Sequence, residues 1–216
     1  RSLQRPGRSP VLAQHGTAST SSPLATQAAV TVLQNGGNAM DGALAAAAVQ
    51  AVVEPQSTSI GGDCFCLYAE AGSDHIVAMN GSGRAPLELS AEWLLEQGIT
   101  EIEQQSPHSV TVPTAIDAWT QLNRDYGTKP LSDLLQPAIG YARDGFPISH
   151  RVAEDFASCH DLLAGDADIA DVYLKNGEDY KHGDRCSNPN LAKTLEAVAA
   201  HGRDGFYKGW VADDLL

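Results

Sequence analysis

The loop Asn80-Gly81-Ser82-Gly83-Arg84-Ala85-Pro86 sets one arginine among two glycines and a proline, directly after a strand-like run. A guanidinium there could grip a carboxylate through two parallel hydrogen bonds, which a lysine cannot do. Binding groups gather on loops carried by rigid elements, so Arg84 is a candidate substrate clamp. The alternative is an arginine tied to loop carbonyls or to an internal carboxylate. Asp41 could shape a site, but its position also suits a capping carboxylate. Gly61-Gly62 could let backbone approach a ligand, or let a strand pack closely on a helix. Cys64 and Cys66 stand two apart on one face of a strand and read as a buried apolar pair. Cys159-His160 with His182 and Cys186 could ligate zinc, but the spacing follows no standard zinc pattern. Asp166, Asp168 and Asp171 alternate as calcium ligands do, without the glycine and closing glutamate of a calcium loop. A solvated acidic loop is the expectation there, and no metal or cofactor is expected anywhere.

The elements that must position these residues centre on Asn35–Cys66. Two glycine pairs, Gly36-Gly37 and Gly61-Gly62, bracket an alanine-rich run with almost no charge. Asn38 suits an N-cap, and Asp41 then falls at the third helical position, against the positive end of the dipole. Apolar on every side, the helix Ala39–Val53 is predicted to be buried. Glu54-Pro55 stops it. Upstream, Ser22 as cap and Pro23 at the first position open a helix to Gln34, with Gly36 just past its end.

A short strand is predicted at Val11–Ala13. A hairpin is predicted from the runs Phe65–Ala69 and His75–Met79, turning at Ala71–Asp74. Ser90 caps a helix over Ala91–Gln97, and His108–Val112 reads as a β-rich run. Helices follow at Thr114–Tyr126 and Leu131–Arg143, with Trp119 and Tyr141 in core positions. The next helix runs from Ile148-Ser149 to about Leu163. Gly165–Tyr173 reads as loop or short helix, and Asn176–Pro189 as turns. Asn190 is expected to cap Leu191–Ala200, Gly202–Gly209 to turn, and a last helix to begin at Val211.

The 216 residues carry a net charge of −13 and are 43% hydrophobic. That composition supports a sizeable core and argues against nucleic acid or an anionic membrane as partner. The apolar run Ala39–Val53 falls short of the roughly 20 residues that span a bilayer. The leader with Arg1, Arg5 and Arg8 shows no apolar segment of a signal peptide. This favours the cytoplasm and leaves a periplasmic or secreted location open. Four cysteines in this length do not read as a disulfide framework. No helix stop is visible at Leu216, so the chain is expected to be one piece of a longer or cleaved precursor.

Seven segments, in order along the chain, carry a resemblance. They are S-S-P-L-A-T-Q-A (21–28), G-G-N-A-M-D (36–41), V-V-E-P (52–55), I-G-G-D-C-F (60–65), V-T-V-P-T-A (110–115), A-R-D-G-F-P-I-S (142–149) and F-Y-K-G (206–209). Together they resemble the amino-terminal part of the large subunit of a γ-glutamyltranspeptidase-family protein, within the N-terminal-nucleophile hydrolases. The loop N-G-S-G-R-A-P resembles an acylase-like branch of it. The resemblance implies an α+β fold, a four-layer αββα sandwich. This chain would supply a mostly helical portion with a few strands, and residues 1–216 would be one part of the large-subunit domain with no internal boundary.

It further implies a chain that cuts itself in two and exposes a threonine at the start of the small subunit. That hydroxyl attacks an amide, with its own α-amine as base, and the acyl group passes to water, an amino acid or a peptide. Arg1 has neither hydroxyl nor thiol, so no catalytic residue is expected in this chain; the nucleophile is expected beyond Leu216. Glutathione-cleaving members hold the substrate α-carboxylate with an arginine before the Ala-Pro pair. A gapless match puts Ser82 there and Arg84 two residues later, so both are substrate-binding candidates. The implied partners are a small-molecule γ-glutamyl or acyl-amide substrate and the small subunit carrying the threonine. Two other readings stay open: a cephalosporin-acylase-like amidohydrolase, and a noncatalytic homologue acting as a binding or scaffold protein.

Overall fold

Gly36 and Gly37 let two helices follow each other without a linker. Helix α1 covers Pro23–Gln34. Beyond it Gly36 takes φ +80°, and the Gly36 and Gly37 amides donate to Leu33 O (3.2 Å) and Val32 O (3.0 Å). This pair of bonds is the Schellman ending, in which glycine avoids the side-chain penalty of the left-handed region. Helix α2, Ala39–Val53, opens with a complete capping box. The Asp41 N–H donates to Asn38 Oδ1, and the Asn38 N–H donates to Asp41 Oδ2, both at 2.9 Å. Of its fifteen residues, eleven are buried, so α2 is the element about which the others pack. Its alanines admit α1 on one side and further helices on others.

The computed structural model describes residues 10–216; the polar leader at 1–9 lies outside the described residues. Strands β1 (Cys64–Ala69) and β2 (Ile76–Gly81) form the expected antiparallel hairpin, with Cys64 opposite Gly81 and Ala69 opposite Ile76. Cys64, Cys66 and Tyr68 face inward, while Phe65 and Leu67 stand exposed. Helix α3 is Ala91–Glu96, capped by Ser90. Helix α4 (Ala115–Tyr126) backs the hairpin and touches α2. Helix α5 (Leu131–Asp144) lies against α2 on one side and against α9 (Pro189–His201) on the other. The remaining elements are α6 (His150–Ser158), α7 (His160–Ala164), α8 (Ala167–Tyr173), α10 (Asp204–Tyr207) and α11 (Trp210–Leu215), with the two-residue strands β3 (Phe146–Pro147) and β4 (Arg185–Cys186) paired to each other. The described chain is therefore mostly helical with a few strands, and no helix in it is long and apolar enough to cross a membrane.

Several expectations need correction. Val11–Ala13 is exposed chain without a strand partner, and a strand needs a ladder. His108–Val112 is not a strand: a 3-10 turn at Pro107–Ser109 precedes a single bond to the loop after β2, Val112 N–H to Arg84 O at 2.9 Å. The helix expected to reach Leu163 breaks at Cys159, where the Ser158 hydroxyl takes the Asp155 carbonyl (2.7 Å) and competes with the helix's own bonding. The cap of α9 is Asn188, accepting the Leu191 N–H at 3.0 Å, rather than Asn190. Pro189 lacks an N–H and suits the first helical position, so the helix starts earlier. Gly202–Gly209, expected as a turn, contains α10.

Candidate substrate-binding loop

Three chain segments meet where the hairpin abuts the start of α4. The Gly62 carbonyl accepts two amides from the head of that helix, Thr114 N–H (3.1 Å) and Ala115 N–H (2.9 Å). The Thr114 hydroxyl donates to the Gly81 carbonyl, closing the second segment onto the third. The loop after β2 is then fixed residue by residue. Ser82 N–H donates to Asn80 Oδ1 at 3.0 Å, Gly83 N–H to Asp63 Oδ1 at 2.9 Å, and Arg84 O accepts from Val112 N–H at 2.9 Å.

Glycine at two of these positions is a matter of space. A Cβ on Gly83 would lie 2.1 Å from Val112 O and 2.6 Å from Thr111 Oγ1; one on Gly81 would lie 2.5 Å from Cys64 O. Backbone cannot be pushed aside cheaply. The loop is thus pressed flat on its neighbour, and Ser82 and Arg84 are the polar side chains that stand exposed on either side of Gly83. Among the described residues neither side chain makes a hydrogen bond, and the Arg84 guanidinium enters no ion pair. Among the described residues Arg84 bonds no loop carbonyl. Its main chain is fixed while its guanidinium meets no partner among the described residues, an arrangement suited to a planar anionic ligand.

The other candidates separate. Cys64 and Cys66 line the inner face of β1, where burial pushes both thiols up, and the proximity of Cys66 adds to the effect at Cys64. The four residues considered for zinc are drawn to different partners. His160 Nδ1 pairs with Asp179 Oδ1 at 2.7 Å, and the His182 ring meets His150 edge-on. Cys159 is exposed. Cys186 is buried beside Tyr180, whose phenol is pushed up to about 12, by burial first and then by the Cys186 sulfur. Asp166 caps α8, accepting the Asp168 and Ile169 amides at 2.9 and 3.0 Å. Among the described residues no three His, Cys, Asp or Glu side chains form a group that could hold a metal. Trp119 is buried in the core and Tyr141 packs against it.

Asp63 and Thr114 were not singled out from the sequence, although they fix the loop. An acidic residue directly after Gly61-Gly62, and a threonine before an amphipathic run, are the local features that could have marked them.

A family model described as gamma-glutamyltranspeptidase matches residues 25–216. The glutathione hydrolase-like YwrD proenzyme of Bacillus subtilis (strain 168) is 34% identical over 194 residues, covering 89% of this chain and 37% of that protein. The crystal structure of Helicobacter pylori gamma-glutamyltranspeptidase superposes with a TM-score of 0.86 at 31% identity, over 95% of this chain and 60% of that one. The cephalosporin acylase of Bacillus halodurans superposes at 0.85 with 32% identity, over 99% of this chain and 42% of that one. The chain spans little more than a third of the length of the curated relatives it matches.

Proposed function

The chain belongs to the γ-glutamyltranspeptidase family, and we propose that residues 1–216 are the amino-terminal part of the large subunit of an amide hydrolase or acyltransferase of that type. The observation that carries this reading is Arg84. A guanidinium without a partner among the described residues stands on a loop whose main chain is fixed on both sides, within a match that runs from residue 25 to 216.

In this reading the threonine nucleophile and its α-amine base arrive on a small subunit encoded downstream, together with donors for the tetrahedral oxyanion. This chain supplies the wall that orients the acyl donor. Arg84 takes a substrate carboxylate through paired N–H bonds, the Ser82 hydroxyl adds a neutral contact beside it, and the glycine-flattened loop keeps both at a set depth. Orientation of this kind lowers the barrier by prior loss of freedom rather than by new chemistry. The substrate is a small-molecule γ-glutamyl or acyl amide, and the acyl group passes to water or to an amine.

The outer face of the hairpin supports a larger αββα sandwich. Phe65, Leu67 and Ile76 are 68, 78 and 63% exposed. An apolar sheet face of this kind calls for a second sheet to cover it, and the small subunit would bring that sheet.

A second reading rests on Ser82. With serine where a carboxylate-binding arginine is expected, an acylase acting on a different acyl amide is favoured over a γ-glutamyl enzyme. The 32% identity to the cephalosporin acylase over 99% of this chain supports it. Hydrolysis of γ-glutamyl-p-nitroanilide against that of a glutaryl amide by the full-length protein separates the two, and turnover of neither would favour a binding or scaffold role. Arg84→Ala should raise KM for the better substrate by about tenfold to a hundredfold, the worth of a charged hydrogen-bonded contact. Its melting temperature should barely move, because an exposed, unpaired side chain contributes little to folding. An unchanged KM would remove Arg84 from the site.

A further inference from the structure

Glu54 carries a carboxylate into the interior without a positive partner among the described residues. It ends α2 and is only 7% exposed. Its hydrogen bonds fall on one oxygen: Oε2 accepts from the Ser21 hydroxyl and from Gln50 Nε2 at 3.0 Å. Gln50 Nε2 also donates to Ser21 Oγ at 2.7 Å, so the three groups form a closed ring. Among the described residues Glu54 pairs with no Lys, Arg or His. Its Oε1 has no hydrogen-bond partner there. Yet no side-chain oxygen among the described residues is both sealed from solvent and unpartnered. Oε1 therefore opens onto free space.

Glu54 lines a cavity of about 270 Å³, with Leu24, Val53, Pro147 and Ile148 as apolar walls and Ser21, Ser22, Ser149 and His182 as its polar lining. Ser22 is 6% exposed and stands at the cap position of α1, yet its hydroxyl bonds no helix amide. It too is left facing the cavity.

An unpaired buried carboxylate is costly, and this one follows the negative end of a helix, where an anion is disfavoured. Both effects are relieved by a cation. A metal ion would need six or more oxygen ligands for calcium, or an octahedral set for magnesium, and a single carboxylate with hydroxyls and one imidazole on an otherwise apolar lining is a poor match for either. A primary ammonium needs only a few acceptors and brings its own apolar body. We propose that this cavity binds a small primary ammonium. Its N–H groups donate to Glu54 Oε1 and Ser22 Oγ, and its hydrocarbon lies on Leu24, Val53, Pro147 and Ile148. The site is independent of the acyl-transfer reading and of Arg84.

The test is calorimetric titration of the full-length protein with propylammonium chloride, set against sodium chloride and the neutral propanol. Saturable binding of propylammonium alone is expected. Glu54→Gln should weaken it by about tenfold or more, and Ser22→Ala by a smaller factor, consistent with a charged and a neutral contact respectively. Ser22 makes no capping bond, so Ser22→Ala should keep the fold and decides the matter if Glu54→Gln does not fold. No heat of binding, equal binding of propanol, or wild-type affinity in either folded variant would overturn the assignment.

Discussion

Asp41→Ala should destabilise the protein more than any other single change considered for this chain. Asp41 is fully buried and serves two structures at once. It closes the cap of α2 by accepting the Asn38 N–H, and it holds the turn between α4 and α5. There it accepts Thr128 N–H at 2.9 Å, Thr128 Oγ–H at 2.5 Å and Lys129 N–H at 3.2 Å. Alanine would take one shared, fully buried acceptor from four donors in part-buried bonds, each bond to a charged group being worth about 1.5–3 kcal/mol. A loss of about 3–5 kcal/mol is expected, which for a chain of this size lowers the melting temperature by roughly 10 °C or more. Asp41→Asn should recover only part of this, because its amide turns donors toward donors.

The acid limb of stability should carry the same signature. Burial is the largest single influence on Asp41 and pushes its carboxyl up. The Thr128 hydroxyl and the Asn38, Thr128 and Lys129 amides together outweigh it and hold the group below its ordinary range. A depressed carboxyl stabilises the fold above its unfolded pKa, about 3.9, and that contribution is lost as pH falls through the lower folded value. Urea midpoints measured from neutral to about pH 3 should fall less steeply in Asp41→Asn than in wild type. Parallel slopes would remove Asp41 from the account.

Gly83→Ala carries the largest expected effect on function. The added methyl would meet Val112 O at 2.1 Å, so the loop must lift from its neighbour and carry Arg84 with it. Displacement of a positioning group by about 1 Å can lower kcat/KM by around a hundredfold. Stability should fall by a lesser amount, about 1–3 kcal/mol, as overpacking does. Kinetics and melting on one preparation of the full-length protein check both halves. A melting loss with unchanged kcat/KM would mean that loop position does not govern substrate binding.

Local instructions were legible in the sequence and distant ones were not. The joint between α1 and α2 is written within a few residues: Pro23, the glycine pair, Asn38 and Asp41 each act on near neighbours, and each lies as expected. The hairpin is likewise carried by adjacent alternation. The second duty of Asp41 is not written locally, since Thr128 stands 87 residues away. Nor is the reason Gly83 must be glycine, which lies in the carbonyl of Val112. The pairing of β3 with β4 joins two residues to two across a long interval, too short a run for alternation to reveal. Tyr207 shows the same limit: read as part of a turn, it donates its hydroxyl to Pro113 O at 2.7 Å, 94 residues back. The Cys159 break, by contrast, is a local competition that helical spacing alone does not register.

The methyl-lined α2 has a mechanical consequence. A rod with tightly packed neighbours on several sides cannot bend or slide without opening gaps in dense packing. Helix α2 is then the element least able to shift alone, since it bears α1, α4 and α5 together. The joint at Gly36-Gly37 lies at one end and Glu54 with the Gly61–Asp63 stretch beyond the other.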